Sequence, residues 1–530
     1  MVTEQAATIK SYNPATREIL GEAPCLDAGA VRAAVEKAWS AYESWRLTDY
    51  PARARKLHKL RQVLVRHQEE IAALVTREVG KPLVESLMAE LVGPLDACAW
   101  FAENTEKALR EQVISLSNPL LSSKQSLLTF EPLGVVGIIS PWNYPFAIPM
   151  MAIIMAVMVG NTVVLKPSEK SPLIGIKIGE LFLEAGFPEG VVTVITGDRE
   201  TGAHLTQCRL ARIIFTGSVE GGSKVMAAAA RNLTPTTLEL GGKDPAIVLP
   251  DAPPDWTARG LVWGAFTNAG QACASIERVY IVKGKHTDRL IERLVAHTQE
   301  LQLGSGLDMS TDVGPLIDEV QLEKVKAQVE EAKAAGAKVL CGGKAREDLG
   351  GYFYEPTLLT DVNHSLRIMT EETFGPVLPI MVVNSEDEAI DLANDSEFGL
   401  CASVWSRKLS RAEDVARDLD AGTVFINDCL FSFACPQVPW GGLKKSGSGH
   451  THSYFGLLDL VNIKHIAIDG AGGPNRLWWY PYGKPRVNLA RAGLDILHGS
   501  FPFSKIGGLF RFAYNSVLNP RPKGKPESSD

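Results

Sequence analysis

The chain has 530 residues, of which 45% are hydrophobic and 22% are charged, and its formal net charge at pH 7 is −7. This composition is typical of a globular protein of about two to four domains, and the acidic balance argues against a nucleic-acid partner. The eight cysteines are scattered and form no Cys-x-x-Cys pair, which argues for a reducing compartment and against a metal site or a disulfide framework. The N-terminus has no apolar signal segment, so we expect a cytoplasmic protein.

The first part of the chain predicts an extended lead-in followed by helices. From Asp27 to Val79 apolar residues recur at spacings of three and four, which predicts amphipathic helices whose charged face is solvated. A third helix is expected from Val84 to about Gln112. Residues 119–134 contain short alternating segments, which predict a hairpin outside the main sheet.

The stretch from Pro132 to Leu165 contains no charged residue and is long enough for a membrane span. Prolines, asparagines and glycines divide it, however, into a strand, a loop, a buried helix and a second strand. Buried parallel strands are continuous apolar runs, so we assign this stretch to an α/β core.

From Val135 onward, strands alternate with helices, in the order VVGIIS, TVVLKPS, VVTVITG, ARIIFTGS and TTLEL. This alternation predicts a doubly wound parallel sheet, which binds ligands at the carboxyl ends of its strands. Asn143, Lys166 to Glu169 and Ser218 each follow such a strand. A second α/β unit with strands such as ERVYIV, PVLPIMVV and TVFIN is expected after residue 240.

Cys273 lies in a run of small residues, NAGQACAS, where a substrate can approach its sulfur. A lone cysteine is usually a buried small hydrophobe. Here, however, the chain also offers the carboxylate of Glu239, in TLELGGKDP, and the amide of Asn143, in PWNYP. A thiol, a carboxylate and an amide are the nucleophile, base and oxyanion donor that attack on a carbonyl requires.

Six motifs in order, PWNYP, KPSE, FTGS, ELGGK, GQxC and EETFGP, resemble the aldehyde dehydrogenase superfamily. They run from Pro141 to Pro376, and weaker similarity extends from about Tyr12 to His465. The resemblance implies an NAD(P)-dependent, non-acylating enzyme with a Rossmann-type cofactor domain, a second α/β catalytic domain and a small β oligomerisation arm.

On this basis residues 1–118 are expected to form the helical part of the cofactor domain and residues 135–240 its Rossmann-type sheet. Residues 241–455 are expected to form the catalytic domain. Residues 119–134 and 456–470 would build the oligomerisation arm, which implies a homodimer or a homotetramer. Residues 471–530 form an extension that most relatives lack.

The resemblance implies that Cys273 attacks the aldehyde to give a thiohemiacetal and then a thioester. The side chain of Asn143 and the backbone N–H of Cys273 would hold the oxyanion. Glu239 would activate the water that releases the acid; it is also a residue that relatives acylating coenzyme A typically lack.

A dinucleotide site is predicted around the first sheet. Glu169 can bind both ribose hydroxyls and would repel a 2′-phosphate, which favours NAD, with NADP as the alternative. Ser218 lies where a helix begins and can either bind phosphate or cap that helix. The predicted cofactor residues are Ile139, Ser140, Trp142, Lys166, Ser168, Glu169, Gly217, Ser218, Gly222, Leu240, Glu372 and Phe374.

The substrate is expected to be rather apolar, because no cation is placed to bind a substrate carboxylate. The predicted tunnel residues are Tyr144, Phe146, Ala272, Ala274 and Phe433. After PWGGLKKSGSG many relatives continue with Arg-Glu, whereas this chain has His450-Thr451.

Residues 476–515 mix aromatic and basic residues without an apolar run long enough for a membrane span. Two surfaces fit this composition, the interface of a membrane and the surface of a partner subunit. Membrane contact would make long-chain aldehydes natural substrates.

The predicted function is therefore NAD-dependent oxidation of an aliphatic or aromatic aldehyde to the acid. Two alternatives stay open from the sequence. One is a coenzyme A-acylating aldehyde dehydrogenase, and the other is a catalytically silent binding or structural protein on the same scaffold.

Overall fold

The computed structural model describes residues 7–118, 121, 123–470, 478–498 and 505–509. The chain forms two units, one of Met1–Glu111 with Thr129–Lys464 and the other of Gln112–Leu128 with His465–Asp530. The first unit is α/β with two large sheets, as the alternation of predicted strands and helices indicated. Parts of the predicted extension, residues 471–477, 499–504 and 510–530, lie outside the described residues.

The helices are α1 Ala28–Trp45, α2 Tyr50–Arg66, α3 Gln68–Val79, α4 Leu83–Ala108, α5 Ala147–Val159, α6 Pro172–Glu184, α7 Arg199–Gln207, α8 Val219–Ala230, α9 Pro254–Phe266, α10 Thr287–Glu300, α11 Glu319–Ala334, α12 Arg367–Thr370, α13 Glu386–Asn394, α14 Leu409–Arg417, α15 Ser453–Leu458 and α16 Lys484–His498. The strands are β1 Thr8–Tyr12, β2 Ile19–Pro24, β3 Gln112–Val113, β4 Lys124–Pro132, β5 Val135–Ile139, β6 Thr162–Lys166, β7 Val192–Val194, β8 Arg212–Thr216, β9 Thr236–Glu239, β10 Asp244–Val248, β11 Ile276–Val282, β12 Lys338–Cys341, β13 Thr357–Thr360, β14 Val377–Val383, β15 Phe398–Gly399, β16 Cys401–Trp405, β17 Thr423–Ile426, β18 Leu443–Lys444, β19 Gly447–Ser448 and β20 Val461–Asp469.

The first large sheet has the strand order β19-β9-β8-β5-β6-β7, and all its pairs except β19 with β9 are parallel. Ile139 pairs with Lys166, and Thr216 pairs with Glu239. The carboxyl ends of β5, β6, β8 and β9 therefore lie side by side, so the segments that follow them meet at one edge of the sheet.

The second large sheet has the order β12-β13-β14-β11-β10-β16-β17 and carries its own apolar core between α9, α10, α11 and α13. Two of its strands, β10 and β13, are absent from the predicted set. Strand β10 begins with Asp244-Pro245, a dipeptide that signals a turn. The sheet accommodates it because Pro245 lies at the strand start, beside a register irregularity.

The N-terminal helices are present, but their charged residues are not all solvated. Arg53 is 5% exposed and Glu78 is fully buried. Arg53 donates to the backbone carbonyl of Met158 at 2.8 Å, and Glu78 accepts from the backbone N–H of Ile174 at 2.8 Å. The expectation of a wholly solvated face was wrong, because these side chains contact the last turn of α5 and the first turn of α6. The extended lead-in forms the β1-β2 hairpin.

Strands β20, β4 and β3 form a three-stranded sheet in that order. In the described part of residues 119–134 the expected hairpin is the single strand β4, which pairs with β3 at residues 112–113 because the turn lies earlier in the chain. The predicted strand 456–470 begins only at Val461, after α15. The role of this sheet in oligomerisation stays a prediction. In the described part of the extension, α16 is followed by a short helix at residues 505–509. Among the residues that the structure describes, no helix has both the length and the apolar character to cross a bilayer.

Candidate functional site

Cys273 lies in a tight loop between α9 and β11. The loop begins with the 3-10 turn Thr267–Gly270, in which Asn268 and Ala269 have positive φ. Glu85 of α4 accepts hydrogen bonds from the Thr267 hydroxyl at 2.8 Å and from the backbone N–H of Asn268 at 2.9 Å. A buried carboxylate therefore holds the start of this unusual turn in place.

The Cys273 thiol is half-buried. Burial raises its pKa, and the nearby carboxyl groups of Asp244, Glu239 and Glu372 raise it further. Both effects disfavour the thiolate. The resting cysteine is therefore a neutral thiol, and a base must remove its proton before it can act as a nucleophile.

The Asn143 amide is tied directly to the cysteine loop. Its Nδ2 donates to the backbone carbonyl of Gln271 at 3.0 Å. In return, Nδ2 of Asn268 donates to the backbone carbonyl of Asn143 at 3.1 Å. One N–H of the Asn143 amide is thus used to fix its orientation, and the second is available to an oxygen atom in the site.

A buried ion pair holds the Asn143 loop from the opposite side. Nζ of Lys81 donates to Oε1 of Glu90 and to the backbone carbonyl of Asn143, both at 2.7 Å. Oε2 of Glu90 accepts from the backbone N–H groups of Phe146 at 3.1 Å and of Ala147 at 2.7 Å. Glu90 therefore satisfies orphan donors at the start of α5.

Glu239 ends β9, and its side chain is almost completely enclosed. Oγ1 of Thr451 lies 3.4 Å from Oε1 of Glu239, whereas Oε2 has no hydrogen-bond partner in the described structure. Burial raises the pKa of Glu239 well above its ordinary value, and the side chains of Thr451 and Trp440 lower it only in part. A carboxyl group whose pKa is raised by burial binds a proton more readily than an exposed carboxylate does.

The glycine pair after β9 lets the two central segments approach each other. A Cβ at Gly242 would lie 2.8 Å from the backbone carbonyl oxygen of Cys273 and 2.5 Å from Oδ1 of Asp244. No side chain fits at that separation. The close approach that ELGGK predicts is therefore present.

Two cavities meet at these residues. A cavity of about 190 Å³ is bordered by segments of both large sheets. A second cavity of about 20 Å³, enough for one water molecule, also borders Cys273 and Glu239. The larger cavity is lined by Pro141, Trp142, Asn143, Thr216, Gly217, Ser218, Glu239, Leu240, Gly241, Cys273, Gln321, Lys324, Glu372 and Phe374.

Several predicted cofactor residues form pairs at this edge of the first sheet. Nζ of Lys166 lies 3.3 Å from Oε2 of Glu169. Burial lowers the pKa of Lys166, and Glu169 partly restores it. Oγ of Ser218 accepts from the third backbone N–H of α8 at 3.1 Å, so it caps that helix. A Cβ at Gly222 would lie 2.6 Å from Leu240, so α8 packs closely on the strand edge.

The remaining residues from the first sheet lie beside these pairs. Ile139 packs against a small apolar cluster at the ends of β8 and β9. Oγ of Ser140 is buried without a partner in the described structure. Oγ of Ser168 accepts from the backbone two residues ahead at 3.2 Å, and the N–H of Gly217 donates to the backbone carbonyl of Glu239 at 3.0 Å.

Trp142 and Phe374 form one wall of the larger cavity and pack edge to face, with their ring centroids 5.5 Å apart. Glu372 also borders this cavity, and its Oε1 accepts from the backbone N–H of Gly242 at 3.1 Å. Burial, followed by repulsion from the Glu277 carboxylate, raises the pKa of Glu372 to about 7.

A second buried ion pair holds the loop that carries Phe374. Nζ of Lys243 donates to Oε2 of Glu277 at 2.6 Å. Glu277 also accepts from the backbone N–H groups of Thr373 at 2.8 Å and of Phe374 at 2.9 Å. Phe374 has a φ of 55°, and these hydrogen bonds stabilise that conformation.

The residues predicted for the substrate tunnel divide into two groups. Ala274 and Phe433 share an apolar cluster with Cys273, and Ala272 is almost completely buried. Phe433 packs edge to face on Trp440 and on His452, at centroid distances of 5.2 and 4.9 Å. These contacts form an apolar wall at the smaller cavity.

Tyr144 and Phe146 line neither of the two cavities. Phe146 is fully buried in the helical core and lines neither cavity. This differs from the predicted tunnel position, because Glu90 binds its backbone N–H and so fixes it at the start of α5. The Tyr144 ring lies under Nζ of Lys81, 3.7 Å from the ring centroid.

The sequence analysis did not identify the buried groups that hold the site loops, namely Lys81, Glu85, Glu90, Lys243 and Glu277. A usable signal existed for α4 alone, where Glu85 and Glu90 interrupt the apolar pattern of LVESLMAELVG. Among the described residues, no group of three or more His, Cys, Asp or Glu side chains could hold a metal ion.

Comparison with known proteins gives a consistent result. The model of the aldehyde dehydrogenase family matches residues 1–466. The chain is 37% identical to glutarate-semialdehyde dehydrogenase of Pseudomonas aeruginosa over 88% of its own length and 95% of the relative's. It is 35% identical to 4,4'-diapolycopene aldehyde oxidase of Methylomonas sp. over 93% and 92% of the two chains. Betaine aldehyde dehydrogenase of Staphylococcus aureus in complex with NAD+ superposes with a TM-score of 0.85 at 34% identity, covering 90% and 94%.

Proposed function

The chain belongs to the aldehyde dehydrogenase family, and from this membership we propose that it oxidises an apolar aldehyde to the carboxylic acid with NAD, through a thioester on Cys273. The observation that carries the proposal is the larger cavity. Cys273, Glu239 and Asn143 border the same space as the predicted cofactor residues Trp142 and Phe374. A thiol, a base and an amide donor are thereby available together in one enclosed volume.

The residues present fit a dinucleotide. The cavity of about 190 Å³ is walled by aromatic rings and reaches the N-terminus of α8, where backbone N–H groups favour phosphate. Glu169 and Lys166 would hold the adenosine ribose, Ser218 the pyrophosphate, and Glu372 the second ribose. Bound NAD supplies the acceptor for the hydride that leaves the substrate. Glu169 favours NAD, with NADP as the alternative.

The chain's own residues account for the other steps. Sγ of Cys273 passes its proton through water to solvent and forms a bond to the aldehyde carbon, and the free N–H of the Asn143 amide donates to the oxygen that becomes negative as the C=O π bond opens. Oε2 of Glu239, which has no hydrogen-bond partner among the described residues, takes a proton from the water that attacks the thioester, and the Cys273 sulfur is released. The smaller cavity, with room for one water beside Cys273 and Glu239, supports this step.

An apolar substrate is favoured by the wall of Phe433, Trp440 and Ala274 beside the cysteine. No Lys or Arg borders the smaller cavity among the residues described. The name of the Pseudomonas relative specifies a semialdehyde acid, and the name of the Methylomonas relative specifies a polyene aldehyde. The apolar wall favours the second class for this chain.

NADH formation with hexanal, benzaldehyde and succinate semialdehyde, with and without coenzyme A, tests the proposal. We expect turnover without coenzyme A, kcat/KM rising with aldehyde chain length, and a preference for NAD over NADP. The variant Cys273→Ala should lose turnover, while the control Cys341→Ala, at a half-buried cysteine of β12, should keep it.

Each contrary outcome identifies a different error. An absolute requirement for coenzyme A would favour the acylating alternative. No NADH with any aldehyde would favour the silent scaffold. A kcat/KM for succinate semialdehyde at least about tenfold above that for hexanal would contradict the apolar pocket, since that ratio corresponds to about 1.4 kcal/mol of transition-state binding.

Surface contact by the tail is a separate prediction. Trp478, Trp479 and Tyr480 are 44%, 50% and 81% exposed, and aromatic side chains of this kind suit a membrane interface or a partner subunit. Liposome flotation of the full chain against a chain ending after Gly470 separates the two. Equal behaviour of both proteins would remove the membrane interpretation.

A further inference from the structure

His452 is a buried histidine linked to Glu239 by a single hydroxyl group. Its side chain is enclosed, with 1% of the residue exposed. Nδ1 lies 2.9 Å from Oγ1 of Thr451, and the same Oγ1 lies 3.4 Å from Oε1 of Glu239. All three residues border the smaller cavity together with Cys273. The Thr451 hydroxyl has one proton and two potential acceptors.

The hydrogen bond of the other ring nitrogen, Nε2, determines which acceptor receives the proton of the Thr451 hydroxyl. Nε2 lies 2.9 Å from the backbone carbonyl of Phe433, which can only accept. Nε2 therefore carries the ring proton, and Nδ1 of the neutral imidazole is an acceptor. Burial lowers the pKa of His452 to about 4, so this tautomer persists at neutral pH. The Thr451 hydroxyl then donates to Nδ1 and presents a lone pair to Glu239.

The backbone at His452 indicates that this position is maintained against strain. Its φ and ψ are 62° and 172°, a region that glycine alone occupies readily and that costs about 1–3 kcal/mol for other residues. Ser453 also has a positive φ, of 53°. The N–H of His452 donates to Sδ of Met155 at 3.3 Å.

We propose that His452 is a positioning residue for Glu239: by accepting the Thr451 hydroxyl, it withholds a hydrogen-bond donor from the carboxylate and keeps that carboxylate basic. This proposal rests on the proposed function, because it concerns the proton that Glu239 takes from water. When Glu239 ionises, the Thr451 hydroxyl either stays with Nδ1 or turns to Oε1. The imidazole biases this choice toward Nδ1.

The groups that face His452 are few in the described structure. Glu239 lies across Thr451, and Cys273 lies across the smaller cavity. The turn at residues 431–434 presents Phe433, and α5 presents Met155. The next charged pair, Arg212 with Asp459, borders Thr451 from a separate cavity. Glu239 is thus the carboxyl group that responds to a change at His452 through a direct hydrogen-bonded link.

The test uses hydrolysis of p-nitrophenyl acetate by the full-length protein, without added dinucleotide. A burst of p-nitrophenolate reports acylation of Cys273, and the steady rate that follows reports hydrolysis of the acyl enzyme. In wild type we expect that steady rate to rise with pH. The position of this rise on the pH axis, here called the limb, should reflect the ionisation of Glu239. His452→Phe keeps the ring shape but frees the hydroxyl for Glu239, so the limb should move down by about one pH unit.

Three further variants make the sign of the effect decisive. Thr451→Val removes the hydroxyl next to Oε1, so its limb should move upward or stay, and never downward. Thr451→Ser and His452→Asn, which keep a hydroxyl and an acceptor respectively, should restore the wild-type limb. A purely structural role would change rates without moving the limb in a direction specific to each variant.

The outcomes separate the two proposals. If Cys273→Ala hydrolyses the ester at the wild-type rate, Cys273 is not the nucleophile and the proposed function fails. If the burst is present but the limb of His452→Phe stays in place or moves upward, the positioning role is wrong and the proposed function is unaffected.

Discussion

Three buried carboxyl groups, those of Glu90, Glu277 and Glu239, lie in two regions that differ in the number of hydrogen bonds that the carboxyl group accepts. In the framework around the site, Glu90 and Glu277 each accept from a lysine and from two backbone N–H groups. In the cavity, Oε1 of Glu239 lies 3.4 Å from Oγ1 of Thr451, and Oε2 has no hydrogen-bond partner among the described residues. The three carboxyl groups differ little in burial but strongly in the number of hydrogen bonds that they accept.

The difference indicates what each region does. A fully satisfied carboxylate recovers the cost of leaving water and fixes the backbone that it binds. A carboxylate with too few hydrogen bonds recovers only part of that cost. Its pKa is therefore raised, and accepting a proton stabilises it. The framework pairs therefore hold the loops of Asn143 and Phe374, whereas Glu239 retains the capacity to react.

The largest effect is expected in the cavity. Glu239→Gln keeps the size of the side chain but removes the base, so we expect steady turnover to fall by about 10³-fold while Cys273 is still acylated. Mass spectrometry of the stopped reaction should show the acyl enzyme. The control Glu220→Gln, at an exposed ion pair with Lys224, should keep wild-type turnover; an equal loss in both variants would contradict the comparison.

The next effect is expected in the framework. Lys81→Met leaves the buried carboxylate of Glu90 without its cation, so we expect the free energy of unfolding to fall by about 3 kcal/mol. Urea unfolding measures this change. In the double variant Lys81→Met with Glu90→Gln no buried charge is left unpaired, so part of the loss should be recovered. A single variant as stable as wild type would show that this pair does not hold the loop.

A smaller effect is expected where the two regions meet. Gly242→Ala places a Cβ 2.8 Å from the carbonyl oxygen of Cys273, and the resulting displacement should cost about 2 kcal/mol. It should also reduce acylation of the cysteine, because the loop must shift. Gly470→Ala is the matched control, since an added Cβ there meets nothing within 4 Å. Unchanged burst kinetics in Gly242→Ala would be inconsistent with this close approach.

The smallest effect is expected at an exposed polar contact. Ser218→Ala removes the cap of α8 and should lower the free energy of unfolding by about 1 kcal/mol. Ser223→Ala, within the same helix and exposed, should change it by less than about 0.5 kcal/mol. If Ser218→Ala instead weakens NAD binding with no change in stability, phosphate binding rather than capping is the main role of this hydroxyl.

Much of the fold followed from local patterns. Continuous apolar runs predicted β5, β6 and β11, and the alternation with helices predicted the parallel sheets. Strand β10 was missed because Asp244-Pro245 signals a turn locally, and only pairing with β11 and β16 makes it a strand. The buried charges of Arg53 and Glu78 were missed for a similar reason, since their partners lie 105 and 96 residues away.

The sequence by itself determined the alternation of strands and helices that makes the sheets parallel. It also determined the reactive groups that are present: a cysteine among small residues, and polar groups placed directly after strands. Those features are set by residues that are close in sequence, through the spacing of apolar residues and the positions of turn-forming residues. Only the tertiary structure decided which buried carboxyl groups are fully hydrogen-bonded and which, such as Glu239 and Asp244, have an oxygen without a partner among the described residues. Hydrogen bonding of Glu90, Glu277 and Glu239 depends on groups from distant segments, and a buried charge is stabilised or left reactive according to those groups alone.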